Sequence, residues 1–237
     1  MPGQSFRGFS EKVAVVTNGA QGIGRAVALQ IALQGGYVVV SFATESEENK
    51  RALQSLQEIG TLANAVEADV STIDGIKKLY RAVEEMYGRL DLLVNCFDLV
   101  EANSFDATDE TSFQKVVDAS LKSVLFCSQE ALRLMKNRPS PAIVNIADVQ
   151  GLTSNGNPLF AAVNAGIIAM TKARSYELNE KRIRVNCVAL DYSKNKSEET
   201  SEIQFVSSPF ETAARTVVYL LSSEAKAVNG QVITVGK

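Results

Sequence analysis

The sequence predicts a doubly wound α/β domain, seven parallel strands with helices on both faces, as one unit spanning 1–237. Three observations carry that prediction. Apolar runs rich in β-branched residues, such as Val13-Ala14-Val15-Val16 and Tyr37-Val38-Val39-Val40-Ser41-Phe42, read as strands buried on both faces. Segments with helical apolar spacing follow them, so strand and helix alternate along the chain. The first strand breaks into Thr17-Asn18-Gly19-Ala20-Gln21-Gly22-Ile23-Gly24, a glycine-rich turn that opens the first helix.

That turn is a nucleotide-binding start. Gly22 and Gly24 let the backbone approach a pyrophosphate, and a helix from about Ile23 aims its free N–H groups and positive dipole end at the phosphates. Arg25 to Gln34 continues with helical spacing, and Gly35-Gly36 ends the helix. After the second strand, 37–42, a charged helix over 46–59 leads to a strand at 63–68. The alternation then runs helix 73–87, strand 90–94, helix 111–136, strand 142–146, helix 159–180, strand 183–188, helix 210–222 and strand 231–235. The polar stretch 191–208 reads as a surface loop beside the carboxyl ends of the strands.

Composition narrows the function classes. With 46% hydrophobic residues and 5 prolines, the chain has the material for a large buried sheet. A net charge of −3 and a pI near 5.2 argue against nucleic acid or an anionic membrane surface as partner. No apolar run is long enough to span a bilayer, and the first residues lack the apolar core of a signal peptide, so a cytoplasmic address is expected. Cys96, Cys127 and Cys187 lack metal-like spacing and read as reduced core thiols. With no histidine, His-based nucleophilic or zinc chemistry is excluded, and no metal site is expected.

Taken together, these residues resemble the short-chain dehydrogenase/reductase family over essentially the whole chain. Residues 17–24 resemble its TGxxxGIG turn, Ala68-Asp69-Val70 its adenine-binding acidic position, and the run from Gly88 to Asn95 the strand leading into its NNAG motif. Ile143-Val144-Asn145-Ile146, Ala165-Gly166, Ile183-Arg184-Val185-Asn186 and Asn229-Gly230-Gln231-Val232 are similar to later landmarks. The resemblance implies a Rossmann-type fold and a nicotinamide cofactor, NADP or NAD, held by Asn18, Gly19, Gln21, Gly22, Ile23, Gly24, Asp69, Val70, Asn95 and Asn164.

The family's chemistry rests on an asparagine, a serine, a tyrosine and a lysine. The positions that correspond here are Ser120, Asp148, Phe160 and Asn164. Phenylalanine cannot move a proton, and a positioned acid or base is worth about 10²–10⁴ in rate. The expectation is therefore a member that is inactive as a dehydrogenase or reductase and serves as a dinucleotide-binding, partner or regulatory subunit. The alternatives are an NAD(P)-dependent oxidoreductase, or an isomerase or dehydratase with relocated machinery, in which Asp148 is the general base and Tyr176 or Tyr192 supplies a phenol. The plainer reading makes Phe160 a core aromatic and Asp148 a solvated strand end.

Departures also touch the cofactor region. Asn18 stands at the first glycine and places its side chain near the ribose; Cys96, Phe97 and Asp98 add bulk and charge against the cofactor; Leu190-Asp191 replaces a Pro-Gly. Ser41 and Thr44, with Arg25 or Lys50 in reach, lean toward a 2′-phosphate, against the crowd of Glu45, Glu47 and Glu48, and Asn164 is left to bond a ribose hydroxyl. The family's pairing helices correspond to 111–136 and 159–180, which with the last strand imply a homodimer or homotetramer, or a hetero-oligomer with an active relative.

Overall fold

The computed structural model describes residues 8–58, 63–97, 104–154, 156–191 and 209–236. The strands are β1 (Val13–Val16), β2 (Tyr37–Phe42), β3 (Ala63–Glu67), β4 (Leu92–Asn95), β5 (Ala142–Asp148), β6 (Arg184–Leu190) and β7 (Val232–Val235). The helices are α1 (Gly22–Leu33), α2 (Glu47–Glu58), α3 (Ile73–Tyr87), α4 (Glu110–Val117), α5 (Ser123–Met135), α6 (Gln150–Thr153), α7 (Pro158–Glu177) and α8 (Pro209–Leu221).

All seven strands are parallel, in the order β3-β2-β1-β4-β5-β6-β7. Strand order reverses between β1 and β4, so the crevice at their carboxyl ends is where such a sheet receives a ligand. β1, β4, β5 and β6 are buried along their whole length, as their continuous apolar character requires. One apolar layer joins α1 and α8 to a face of the sheet through residues such as Val27, Ile31, Ala214 and Val217. The other face packs on α3 and α5 through Leu79, Tyr80, Val83 and Ala131, and on α7 through Ile167 and Ile168.

Local chemistry sets the element ends. Thr72 caps α3 by accepting the Gly75 N–H, and Gly88 closes the helix at φ +63°. Asn157 accepts the N–H groups of Leu159 and Phe160 with Pro158 in the first turn of α7. At the amino-terminal edge Arg184 is buried and donates to the carbonyls of Leu220, Leu221, Ser222 and Ala225, satisfying the end of α8 and the turn after it. The three cysteines are free and buried, and burial pushes the Cys187 thiol up to about 12.

The structure corrects three expectations. The helix expected over 111–136 is interrupted by a π-turn at Asp118–Lys122, because the Ser120 hydroxyl donates to the Val116 carbonyl and the Ser123 hydroxyl to those of Ala119 and Ser120. β5 and β6 run two residues past their expected ends, so Asp148 is a buried strand residue and no solvated strand end. Phe160 is half-buried on α7 and not part of the core. Asp98, Tyr192 and most of the 191–208 stretch lie outside the described residues. No helix among the described residues is long and apolar enough to cross a membrane.

Candidate active site and dinucleotide edge

The turn after β1 is held by side chains that bond to backbone. The Thr17 hydroxyl donates to the Cys96 carbonyl (2.7 Å) and accepts the Cys96 N–H (2.9 Å), which staples the ends of β1 and β4 together. From β2, the Ser41 hydroxyl accepts the Asn18 N–H and the Ser41 carbonyl accepts the Gly19 N–H. Asn18 adopts φ +48°, a conformation asparagine tolerates better than most residues. Its amide donates to the Cys96 carbonyl at 3.1 Å, so the side chain folds back onto β4 instead of standing free at the ribose position.

The three glycines have different jobs. A Cβ on Gly24 would lie 2.6 Å from the Asn18 carbonyl oxygen, and one on Gly19 would meet Val40 and the Val16 carbonyl below 3 Å. Both are close-packing positions. Gly22 has φ +49°, and among the described residues only the Phe210 ring comes within 4 Å of a Cβ there, at 3.8 Å. Gln21 gives α1 no side-chain cap, and the first turn holds no acidic residue. Among the described residues, no side-chain acceptor is seen for the first-turn N–H groups at Gly22, Ile23 and Gly24, the arrangement that suits a diphosphate.

Across the edge, Asp69 is half-buried and fixed by its own turn. Its carboxylate accepts the Ser71 N–H at 2.9 Å, its carbonyl accepts the Thr72 N–H, and α3 crosses so tightly that a Cβ on Gly75 would overlap that carbonyl. Val70 is buried beneath it. Lys50 pairs with Glu45 (3.4 Å) and Glu47 (3.0 Å), and Glu47 above all holds its pKa up. The Ser41 hydroxyl oxygen accepts the Asn18 N–H at 3.2 Å. Asn95 departs from a ligand-facing role: its buried amide donates to Ser128 Oγ and Asn145 Oδ1, and Asn145 donates on to Thr171, a polar ladder inside the domain.

Three of the four candidate catalytic positions, Asp148, Phe160 and Asn164, are joined beyond the switch point, and Ser120 lies on the π-turn whose Leu121 packs on α7. Asn164, buried on α7, accepts the Asp148 N–H at 2.7 Å and donates to the Phe160 carbonyl at 2.9 Å. Asp148 Oδ1 accepts the Gln150 N–H at 2.7 Å, and Gln150 Oε1 in turn accepts the Asn157 N–H. A Cβ on Gly151 would fall 2.8 Å from Asn164 Cβ, so α6 rides directly on α7. Ser120, in the π-turn, spends its hydroxyl on Val116, while its neighbour Leu121 seats against Gly166 of α7. The cluster thus joins strand, turn and helix by internal hydrogen bonds, and Asp148 is its one ionisable side chain. Tyr176, at the far end of α7, is 89% exposed and stands apart.

Sequence reasoning missed Thr17 and Ser41 as the supports of the turn, and Gln150 and Gly151 as the link from β5 to α7. Asn157-Pro158 was the available signal for the start of α7. Nothing comparable announced α6.

A family model for short chain dehydrogenases matches residues 12–204. The chain belongs to that family. It is 33% identical over 236 residues to the 3-oxoacyl-[acyl-carrier-protein] reductase FabG of Staphylococcus aureus, covering 94% of this chain and 96% of that protein. It is 29% identical to a 3beta-hydroxysteroid dehydrogenase of Mediterraneibacter gnavus, over 95% of this chain and 93% of the relative. The crystal structure of a short chain dehydrogenase from Mycobacterium smegmatis superposes with a TM-score of 0.85 at 26% identity, covering 100% of this chain and 95% of the other. L-sorbose reductase from Gluconobacter frateurii, solved with NADPH and L-sorbose, matches in fold with a TM-score of 0.86 at 23% identity, over 97% of each chain. For a short-chain dehydrogenase, the edge described above is the expected place for a dinucleotide.

Proposed function

We propose that this short-chain dehydrogenase homologue binds NADP or NAD weakly at the β1–α1 turn, does not carry out the family's proton transfer, and acts as a sensing, partner or regulatory subunit. The observation that carries this reading is the Phe160–Asn164–Asp148 cluster. Phe160 has no proton to give, and the Asn164 amide, at the position the resemblance assigns to a ribose-holding lysine, is bonded to the Asp148 N–H and the Phe160 carbonyl. Gly19, Gln21, Gly22, Ile23 and Gly24 with Asp69 and Val70 remain placed to hold a dinucleotide, and Asn18 supports the turn from below. The cofactor supplies hydride chemistry when bound; this chain's residues hold its diphosphate and adenosine, and Phe160, at the family's tyrosine position, offers no ionisable phenol. The assembly is a homodimer or homotetramer through the helical segments 111–136 and 159–180 and the last strand, or a hetero-oligomer with an active relative.

Titration with NADPH and NADH tests this, read by nicotinamide fluorescence and thermal unfolding, with a parallel assay of cofactor consumption against a carbonyl panel that includes 3-oxoacyl thioesters. A micromolar ligand at 100-fold excess over its dissociation constant stabilises the fold by about 2.7 kcal/mol. Binding without consumption is the expected result. Steady turnover with any member of the panel overturns the reading, and failure to bind either dinucleotide reduces the turn to a structural inheritance.

A second reading, an oxidoreductase, isomerase or dehydratase with relocated groups, is favoured by one observation: Asp148 is a buried carboxylate at the carboxyl end of β5, where a general base would meet a substrate. An activity that survives Asp148→Ala unchanged removes it.

A further inference from the structure

The opposite edge of the sheet carries an unassigned cluster of charge. Three neighbouring strands, β1, β4 and β5, begin there side by side, and each brings a cation in the residues just before it: Lys12, Arg89 and Arg138. They converge on Asp91, whose side chain is fully buried. Its Oδ2 accepts the Val13 N–H at 3.0 Å and its Oδ1 accepts Arg138 Nε at 2.8 Å. Those two bonds meet the structural needs of a buried carboxylate. Lys12 Nζ stands 3.6 Å from Oδ1 and Arg89 Nε 4.0 Å from Oδ2, both beyond ordinary hydrogen-bond distance. Arg89 Nε is buried and has no hydrogen-bond partner among the described residues, while its Nη2 is anchored on the Glu11 carbonyl at 3.2 Å.

Over these groups lies a cleft of about 410 Å³ lined by Ser10, Glu11, Lys12, Arg89, Arg138 and Pro139. Three cations face two carboxylates there, those of Asp91 and Glu11, leaving one net positive charge in a chain whose overall charge is −3. Asp91 is buried beneath the cleft and acts as the post on which the basic side chains are fixed. A guanidinium presents its donors in a planar fork matched to a tetrahedral oxyanion, and a side chain held in place loses little rotamer freedom on binding. The Ser10 hydroxyl is a further donor on the cleft wall.

We infer that this cleft binds a phosphate-type oxyanion, free or carried on an organic monoester, through Lys12, Arg89 and Arg138. The site lies at the amino ends of the strands, so its occupancy is separate from that of the dinucleotide edge, and the inference does not depend on the function proposed above.

The test is calorimetric titration of the full-length chain with inorganic phosphate and, separately, with glycerol 2-phosphate at low ionic strength, each repeated with NADPH present. The expected result is one phosphate site whose affinity is unchanged by NADPH, with Lys12→Gln and Arg89→Gln each weakening it about fivefold or more. Lys12→Arg retains binding. Both Gln variants leave the Val13 and Arg138 bonds to Asp91 in place, so thermal unfolding near the parent value certifies their fold. Tighter binding of the monoester points to an organic phosphate as ligand, and equal or tighter binding of phosphate points to the free ion. Absence of binding in the parent chain overturns the inference. So does equal weakening by Lys115→Gln on α4, which alters net charge alone, or binding indifferent to both Gln variants.

Discussion

The two sides of the switch point spend their hydrogen bonds differently. On the β1 side, Thr17, Asn18 and Ser41 bond inward to backbone, and their effect is to hold α1's first turn open with no side-chain cap. On the β5 side, Asn164, Asp148 and Gln150 bond to one another's elements, and Ser120 bonds to its own helix. Among the described residues, one side leaves the start of α1 without a side-chain cap, while the other has supplied its own partners. The physical reason is desolvation. A buried polar group left unpaired costs about 1–3 kcal/mol, so an asparagine buried on α7 needs partners, and the Asp148 N–H and Phe160 carbonyl provide them.

The sharpest way to break that contrast is to rebuild the second side. The combined substitution S120N, D148S, F160Y and N164K places the family's residue types at the four positions. If the loss is confined to them, cofactor consumption against the carbonyl panel rises by at least about 10²-fold over the parent chain, the lower bound for a positioned acid or base. A rebuilt chain that binds NADPH and stays silent shows that the 190–191 region or the bulk at Cys96 and Phe97 also bars the reaction, and the contrast then extends beyond the cluster.

The first side is broken by packing. In Gly24→Ala the new methyl meets a backbone oxygen at 2.6 Å with no flexible neighbour to yield, so we expect a loss of about 3 kcal/mol in urea unfolding, together with dinucleotide binding. An unchanged midpoint means that the turn is less tightly packed than described. Next in size is Asn164→Ala, which leaves the Asp148 N–H and the Phe160 carbonyl unpaired. It costs about 2 kcal/mol by the same measurement while leaving NADPH affinity within a factor of about two. A matching drop in affinity places Asn164 at the ribose after all.

Much of this was legible in the sequence, for unequal reasons. The strands of the sheet were readable because buried parallel strands need uninterrupted apolar runs. The turn after β1 was readable because glycine and asparagine are favoured where φ is positive, as at Gly22 and Asn18, and glycine alone leaves room where the chain crosses itself, as at Gly19 and Gly24. Site residues were placed through the resemblance, and their surroundings were not foreseen. Nothing in Asn164 or Asp148 as letters says that they bond to each other across sixteen residues, because a side-chain-to-backbone link between strand and helix has no period. The π-turn was hidden for the same reason: Ser120 and Ser123 fit a helical pattern, and their hydroxyls disturb the ladder only once the helix exists. Asn95 shows the converse limit, since its motif points to the cofactor edge while its side chain serves the interior ladder.

The smallest expected change gives the finest test of the open side. Gly22 sits at φ +49° with nothing among the described residues nearer than 3.8 Å to a Cβ, so Gly22→Ala is expected to cost only the left-handed backbone penalty, about 1 kcal/mol. Its methyl nevertheless projects from the first turn of α1, where a diphosphate would need the closest approach. Stability and affinity should therefore separate, with a slight shift of the unfolding midpoint and a fall in NADPH affinity of about tenfold or more, as when a charge-assisted bond to the backbone is lost. The Phe210 ring lies beside the same glycine, so affinity lost in Gly22→Ala and retained in Phe210→Leu assigns the effect to the ligand's own approach. If Gly22→Ala binds NADPH as well as the parent chain, the ligand does not lie on this turn, and the uncapped N–H groups of α1 serve water.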